Sequence, residues 1–198
     1  MKRIMRVIIC VVAVVGICAY CYRIKVVNSN LDIPVVKVYE KGQQVQYEDD
    51  FVESSDDSAE GYSVTVLDAN TYTRKEFEDK LVDEYELQIP NDKKCDFFYV
   101  VDVKISNENK ESDDMHGIYL YYLMLLGVND FQMPDVDMTM AASSLPGMAF
   151  SLRPESDMDI KLIYTFSDEN YKDIDEVRNT DFKLMITKYP TKKLLKLK

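Results

Sequence analysis

The sequence predicts a mainly β fold, an immunoglobulin-like β-sandwich with one short helical insert, preceded by a single N-terminal transmembrane helix. Three observations carry that prediction. A stretch without charge, Val7 to Tyr22, is bracketed by Lys2, Arg3 and Arg6 before it and by Arg23 and Lys25 after it. Beyond it, roughly seven or eight short β-prone segments are separated by turn signals. Helical periodicity appears in one interval only, so the helix–strand rhythm of a parallel α/β fold is absent.

The organisation expected is residues 1–25 as basic start and membrane span, 26–32 as a short polar tether, and 33–198 as one exported domain. Sixteen helical residues rise about 24 Å. Adding Ile4 and Met5, while Arg6 and Arg23 snorkel, brings the span near the ~30 Å hydrocarbon core. The basic start favours a cytoplasmic N-terminus and an extracytoplasmic C-terminal domain. The charge asymmetry agrees, because all 35 Asp and Glu lie beyond the span, against 19 of the 24 Lys and Arg. The alternative is a cleaved secretory signal. A cut after Cys18 places Gly16 and Cys18 at the small-residue positions, whereas Tyr20 and Tyr22 suit no such site. Lipidation at Cys18 or Cys21 is a third reading, although Val15-Gly16-Ile17 and Cys18-Ala19-Tyr20 fit a lipoprotein signal poorly.

Within the exported part, Ile33 to Tyr39 and Gln43 to Tyr47 read as a peripheral hairpin around Glu40-Lys41-Gly42, with Pro34 at a strand start. Glu48 to Glu60 is an acidic, serine-rich loop. Gly61 to Tyr72 alternates with period two and is the first core strand. Thr73 to Leu87 changes period, with Phe77, Leu81 and Tyr85 four residues apart and Thr73 with Glu76 forming a capping box, which places a helix near 74–86. Cys95 to Asn107 is a central strand, and Gly117 to Val128 reads as a strand covered on both faces. Phe131 to Phe150 is methionine-rich and irregular, with room for one short strand. Met158 to Phe166 alternates, Ile174 to Val177 suggests a helical turn, and Phe182 to Tyr189 and Lys192 to Lys198 close the chain as strands broken at Pro190.

Four stretches carry a resemblance: KGQQVQYEDDF from Lys41 to Phe51, Gly61-Tyr62-Ser63-Val64, LRPESDMD from Leu152 to Asp159, and Tyr189-Pro190-Thr191-Lys192-Lys193. In these the chain resembles uncharacterised, membrane-anchored bacterial proteins with an immunoglobulin-like exported domain, grouped as domains of unknown function. The resemblance spans roughly residues 35 to 198. It implies a fold and no activity or ligand residues.

Composition narrows the chemistry. The net charge of −11 argues against nucleic acid, which requires clustered Lys and Arg, and against lying flat on anionic lipid. Cys10, Cys18 and Cys21 belong to the span, so Cys95 has no partner for an intradomain disulfide and is expected to be buried. His116 is the only histidine. A hydrolase built on it with Ser143, Ser144 or Cys95 lacks a nucleophile-elbow pattern, and a turn histidine is the simpler reading. Met133, Met138, Met140 and Met148 form a soft donor set for Cu(I), weighed against methionine as core or interface filler. Ca²⁺ could use the acidic loops, Asp49-Asp50, Asp56-Asp57, Asp113-Asp114 and Asp135 with Asp137, but none matches an EF-hand. The reading that follows has no catalytic residues, cofactor or metal: a non-catalytic, membrane-anchored module that binds an envelope protein or extracellular ligand through the segment 131–150 or an unpaired sheet edge. The alternatives are extracytoplasmic metal binding and a hydrolase using His116.

Overall fold

The computed structural model describes residues 2–29, 33–55, 59–89, 94–111, 117–128 and 131–198. The chain divides into two units, Met1–Ile33 and Pro34–Lys198. The first is the helix α1 (Lys2–Ser29). It continues past residue 25 into the segment expected as tether. Its stretch Ile4–Asn28 is long and apolar enough to cross a membrane, and its described side chains are exposed.

The second unit is a β-sandwich. The strands β1 (Val35–Tyr39), β2 (Gln44–Gln46) and β3 (Tyr62–Thr73) are followed by α2 (Arg74–Phe77), a π-helical turn Glu78–Val82 and α3 (Asp83–Tyr85). Then come β4 (Phe97–Asn107), β5 (Ile118–Tyr119), a 3₁₀ turn Leu120–Tyr122, β6 (Met124–Leu126), β7 (Phe131–Gln132), α4 (Val136–Ser143) and β8 (Ala149–Phe150). The chain finishes with β9 (Ser156–Phe166), α5 (Ile174–Asn179), β10 (Lys183–Thr187) and β11 (Thr191–Lys196). One sheet has the order β1-β11-β10-β6-β7 and the other β2-β3-β4-β9, with β5 and β8 pairing separately.

The inner core lies between the two large sheets. Val64, Val66, Tyr99, Val101, Val103, Ile105 and Leu162 from one side meet Leu125, Leu184, Ile186 and Leu195 from the other. The alternation of β4 predicts this face. Its first half, Phe97 to Val101, does not alternate, because Phe98 and Val100 are buried on the opposite face as well. A second core of Phe77, Leu81, Leu87, Cys95, Phe98, Val100, Met138 and Ile163 covers that outer face. Phe77 stacks on Phe98 with ring centroids 3.9 Å apart. The capping box that starts α2 is present: the Glu76 N–H donates to Thr73 Oγ1 at 3.3 Å and the Thr73 N–H donates to Glu76 Oε2 at 2.8 Å.

Three expectations are corrected. The first two strands are not a hairpin: β1 pairs in parallel with β11, whereas β2 pairs with β3 in the other sheet. The turn that links them, with Gly42 at φ +84°, redirects the chain between sheets. Residues 117–128 are not one strand, because the 3₁₀ turn carries the chain from the small β5–β8 pair to β6. Ile118, Leu120, Leu123 and Leu125 are all buried, which accounts for the near-continuous apolar run. The methionine-rich segment holds a helix as well as short strands. Asp135 caps α4 by accepting from the Met138 N–H at 3.2 Å.

That helix closes a sheet edge. β9 ends its sheet, and an open strand edge invites pairing with another chain. Thr139 Oγ1 accepts from the Ile163 N–H at 3.0 Å, Ser143 Oγ accepts from the Lys161 N–H at 2.9 Å, and the Asp135 N–H donates to the Ile163 carbonyl at 2.7 Å. Two hydroxyls one helical turn apart thus satisfy successive outward-facing amides of the strand.

Candidate functional site

The four motif stretches meet in pairs. Lys193, with 1 % of its side chain exposed, sends its ammonium to the carbonyls of Gln46 at 2.7 Å and Tyr47 at 3.0 Å and to the carboxylates of Glu48 at 2.6 Å and Asp50 at 2.7 Å. Asp50 also accepts from the Thr191 N–H at 2.8 Å, and Phe51 bridges Tyr189. The segment 41–51 is therefore locked onto 189–193. In the same way the buried Tyr62 hydroxyl accepts from the Leu152 N–H at 3.0 Å and from Asn107 Nδ2 at 3.3 Å. Gly61, at φ +82°, lies so close to the Asn109 side chain that a Cβ would collide with it. Both pairings are latches between elements distant in sequence, and neither leaves an open coordination position.

The open site lies on the outer face of the four-stranded sheet, where the helical cover stops. A cleft of about 400 Å³ is lined by Leu67, Asp68, Tyr85, Asp102, Ala142, Asp159, Ile160 and Lys161. Its floor is β3, β4 and β9, and α3 and α4 supply Tyr85 and Ala142. In register, Asp68 sits opposite Asp102, which sits opposite Lys161. A bulge between Val66 and Asp68 turns Leu67 outwards. Two aspartates side by side on a sheet repel, and each has its own cation. Lys161 meets Asp102 at 2.5 Å, and Lys41 meets Asp68 at 2.7 Å.

These contacts set the local acid–base behaviour. Hydrogen bonds from Lys41, then Asn70 and the Ala69 backbone, lower the Asp68 carboxyl to about 2. Burial works against the charge on Lys161, yet its hydrogen bond and attraction to Asp102 hold the ammonium above the ordinary lysine value. The same ammonium stands 5.6 Å from the centre of the Tyr85 ring, in cation–π range. Asp159, on the rim, is exposed. The lining thus offers three carboxylates, one ammonium and one aromatic face.

The residues singled out by sequence fall elsewhere. Met138 is buried in the outer core, Met140 packs against the inner core, Met133 is 40 % exposed, and Met148 accepts from the Tyr119 hydroxyl at 3.3 Å. The four thioethers occupy separate environments. Cys95 is buried in the outer core. Asp50 is matched with Lys193 and Asp135 is a helix cap, while Asp49 and Asp137 are exposed. Ser143 serves the β9 edge, and Ser144 ends α4 in the left-handed conformation. His116, Asp56-Asp57 and Asp113-Asp114 lie outside the described residues. Among the described residues no group of three or more His, Cys, Asp or Glu is arranged to hold a metal ion. Sequence reasoning missed Asp68, Asp102 and Lys161, because adjacency across strands is invisible until the register is known.

Fold and site together define a β-sandwich domain with a helix-flanked charged cleft, carried behind an apolar helix. The chain belongs to the family described as a domain of unknown function, DUF5028, whose model matches residues 36–193. No curated protein matches the sequence. Among solved structures the chain is similar to an uncharacterised β-sandwich protein from Clostridium difficile 630, at 11 % identity and a TM-score of 0.41, over 82 % of this chain and 95 % of that one. It is also similar to a functionally unknown protein from Listeria monocytogenes EGD-e, at 14 % identity and a TM-score of 0.38, over 73 % of this chain and 74 % of that one.

Proposed function

We propose that the chain is a single-pass membrane protein with a cytoplasmic N-terminus, which holds its β-sandwich outside the cell as a non-catalytic binding module. One observation carries the reading. The described side chains of the apolar stretch Ile4–Asn28 are exposed, while residues 34–198 carry a core of their own. A helix of about 37 Å that exposes aliphatic side chains on every side is unfavourable in water and suited to lipid. The basic residues Lys2, Arg3 and Arg6, which precede the uncharged run Val7 to Tyr22, support the orientation.

Recognition is assigned to the cleft between α3 and α4. Its lining carboxylates, Asp68, Asp102 and Asp159, outnumber its one lining ammonium, Lys161, so the ligand class it favours is a positively charged one, an amine or a basic peptide segment. The engagement of Ser143 with the strand edge supports binding over hydrolysis.

Two measurements test the reading. In intact cells the full-length chain resists alkaline extraction from membranes, and an external protease removes its C-terminal domain. Recovery of the intact chain in the soluble fraction, or of a chain shortened near Cys18 in the medium, rejects the anchor. Titration of full-length protein in neutral detergent with trilysine gives saturable binding that Asp159→Asn weakens severalfold, and binding indifferent to that change rejects the cleft.

A further inference from the structure

The end of the sandwich nearest the anchor in the chain differs in composition from the rest of the acidic unit. β1 is an outermost strand, and Ile33, Val35, Val36 and Val38 are 73, 63, 56 and 47 % exposed. The Val35 N–H donates to the Pro190 carbonyl at 3.2 Å, which ties the start of β1 to the turn between β10 and β11. That turn carries Tyr189, whose ring lies 6.3 Å from Phe51 and 5.3 Å from the Lys188 ammonium. Val36 pairs in register with Lys192, and Lys37 with Lys193. Neither β1 nor β11 contains an acidic residue. Among the described residues no carboxylate lies within ion-pair range of Lys37, Lys188 or Lys192; Glu40, which follows β1, pairs with Lys196, and Glu48 and Asp50 are held by Lys193. The rim is apolar, aromatic and basic.

Two features on this rim say what covers it. In sequence only a short connection separates Ser29, the last residue of α1, from Val35, the first of β1. Exposed aliphatic side chains, a tyrosine and lysines together are also the composition that settles at a membrane–water interface and complements anionic headgroups. Resting on the anchored reading above, we propose that the rim formed by β1 and the β10–β11 turn seats on the surface of the bilayer that holds α1. Val35, Val36 and Tyr189 meet the boundary of the acyl region, and Lys188 and Lys192 meet anionic headgroups. The total charge opposes contact with such a surface, but the acids Glu40, Glu48 and Asp50 beside the rim are matched by Lys196 and Lys193, which leaves Lys37, Lys188 and Lys192 to set its local charge. The outer face of the β2-β3-β4-β9 sheet, with the cleft, then stays open to solvent.

The chain contains no tryptophan, so a substitution at an exposed position installs a single reporter. Full-length Val36→Trp and, as a control on the other sheet, Leu67→Trp are reconstituted into phosphatidylcholine vesicles with and without phosphatidylglycerol, each containing brominated lipid. The expected result is that Val36→Trp is quenched about twofold more than Leu67→Trp in the anionic vesicles. The excess shrinks in high salt and in the Lys188→Glu/Lys192→Glu background. Equal quenching of the two reporters in vesicles that carry the protein on flotation overturns the proposal. A Val36→Trp signal that falls as protein is diluted in lipid also overturns it, and assigns the rim to a second copy of the chain. Failure to float overturns the anchored reading first, and this proposal with it.

Discussion

Two lysines on opposite sheets each meet an aspartate, and their surroundings give them different work. Lys193 is buried, holds four oxygen atoms and joins segments almost the whole unit apart in sequence. Lys161 has 20 % of its side chain exposed, holds one carboxylate, and faces a cleft and an aromatic ring. A buried cation that satisfies several acceptors fixes geometry, because removing it strands charge and carbonyls in a dry interior. A partly exposed pair costs less to open than a buried one and is within reach of a ligand. The stretches that carry the resemblance supply the latch, and two of them also reach the cleft, through Lys41, which holds Asp68, and through Asp159 on the rim.

The comparison predicts a steep gradient of effects. Lys193→Met, similar in shape but unable to donate, destabilises the sandwich by about 4 kcal/mol, read from urea midpoints of the full-length chain in detergent. Adding Asp50→Asn recovers part of the loss, because the stranded carboxylate is then neutral. A single variant no less stable than wild type would remove the distinction between the two lysines. The next largest effect belongs to the wall of the cleft. Thr139→Val leaves the buried Ile163 N–H without its 3.0 Å acceptor and costs about 1–2 kcal/mol. Faster hydrogen exchange is expected at Ile163 and Lys161, while the amides of β3 keep wild-type rates.

Much of this architecture was legible from periodicity. β3, β4, β9 and the capped helix at Arg74 lie where alternation, aromatic spacing and the Thr73–Glu76 pair place them. The two faces of β4 show where legibility ends. Val101, Val103 and Ile105 announce a buried face, but the burial of Phe98 and Val100 depends on helices contributed by other segments. The Ile118 to Leu126 run and the methionine-rich segment misled for a related reason. Continuous apolarity records burial without saying whether a strand, a 3₁₀ turn or a helix achieves it. The cleft was illegible because its charged groups come from three strands, and no sequence spacing connects Asp68, Asp102 and Lys161.

On the open side of the comparison the effects are small in stability and larger in recognition. Lys161→Met changes stability by less than about 1 kcal/mol, since it opens a partly hydrated pair. It also leaves Asp102 without its cation, so trilysine binding at the cleft strengthens. Weaker binding would mean that Lys161 itself contacts the ligand, and that the favoured class is anionic.

The smallest effect tests whether the cleft keeps its charge in acid. Asp68 has a side chain 54 % exposed, so its bond to Lys41 adds little to stability, but it fixes the protonation state of one wall. With the folded carboxyl lowered to about 2, its contribution is fully present above the ordinary aspartate range and is lost as the pH falls from there through about 2. Carbon-detected NMR of the side-chain carboxyl is expected to follow a midpoint near 2 in the wild type. Lys41→Ala, which removes the largest cause of the shift, moves the midpoint upwards. A wild-type midpoint at the ordinary value would show that the Lys41 contact is not held in solution. Asp68 would then be as free as Asp159 to meet an incoming cation, which would place the ligand across β3 instead of at the β9 rim.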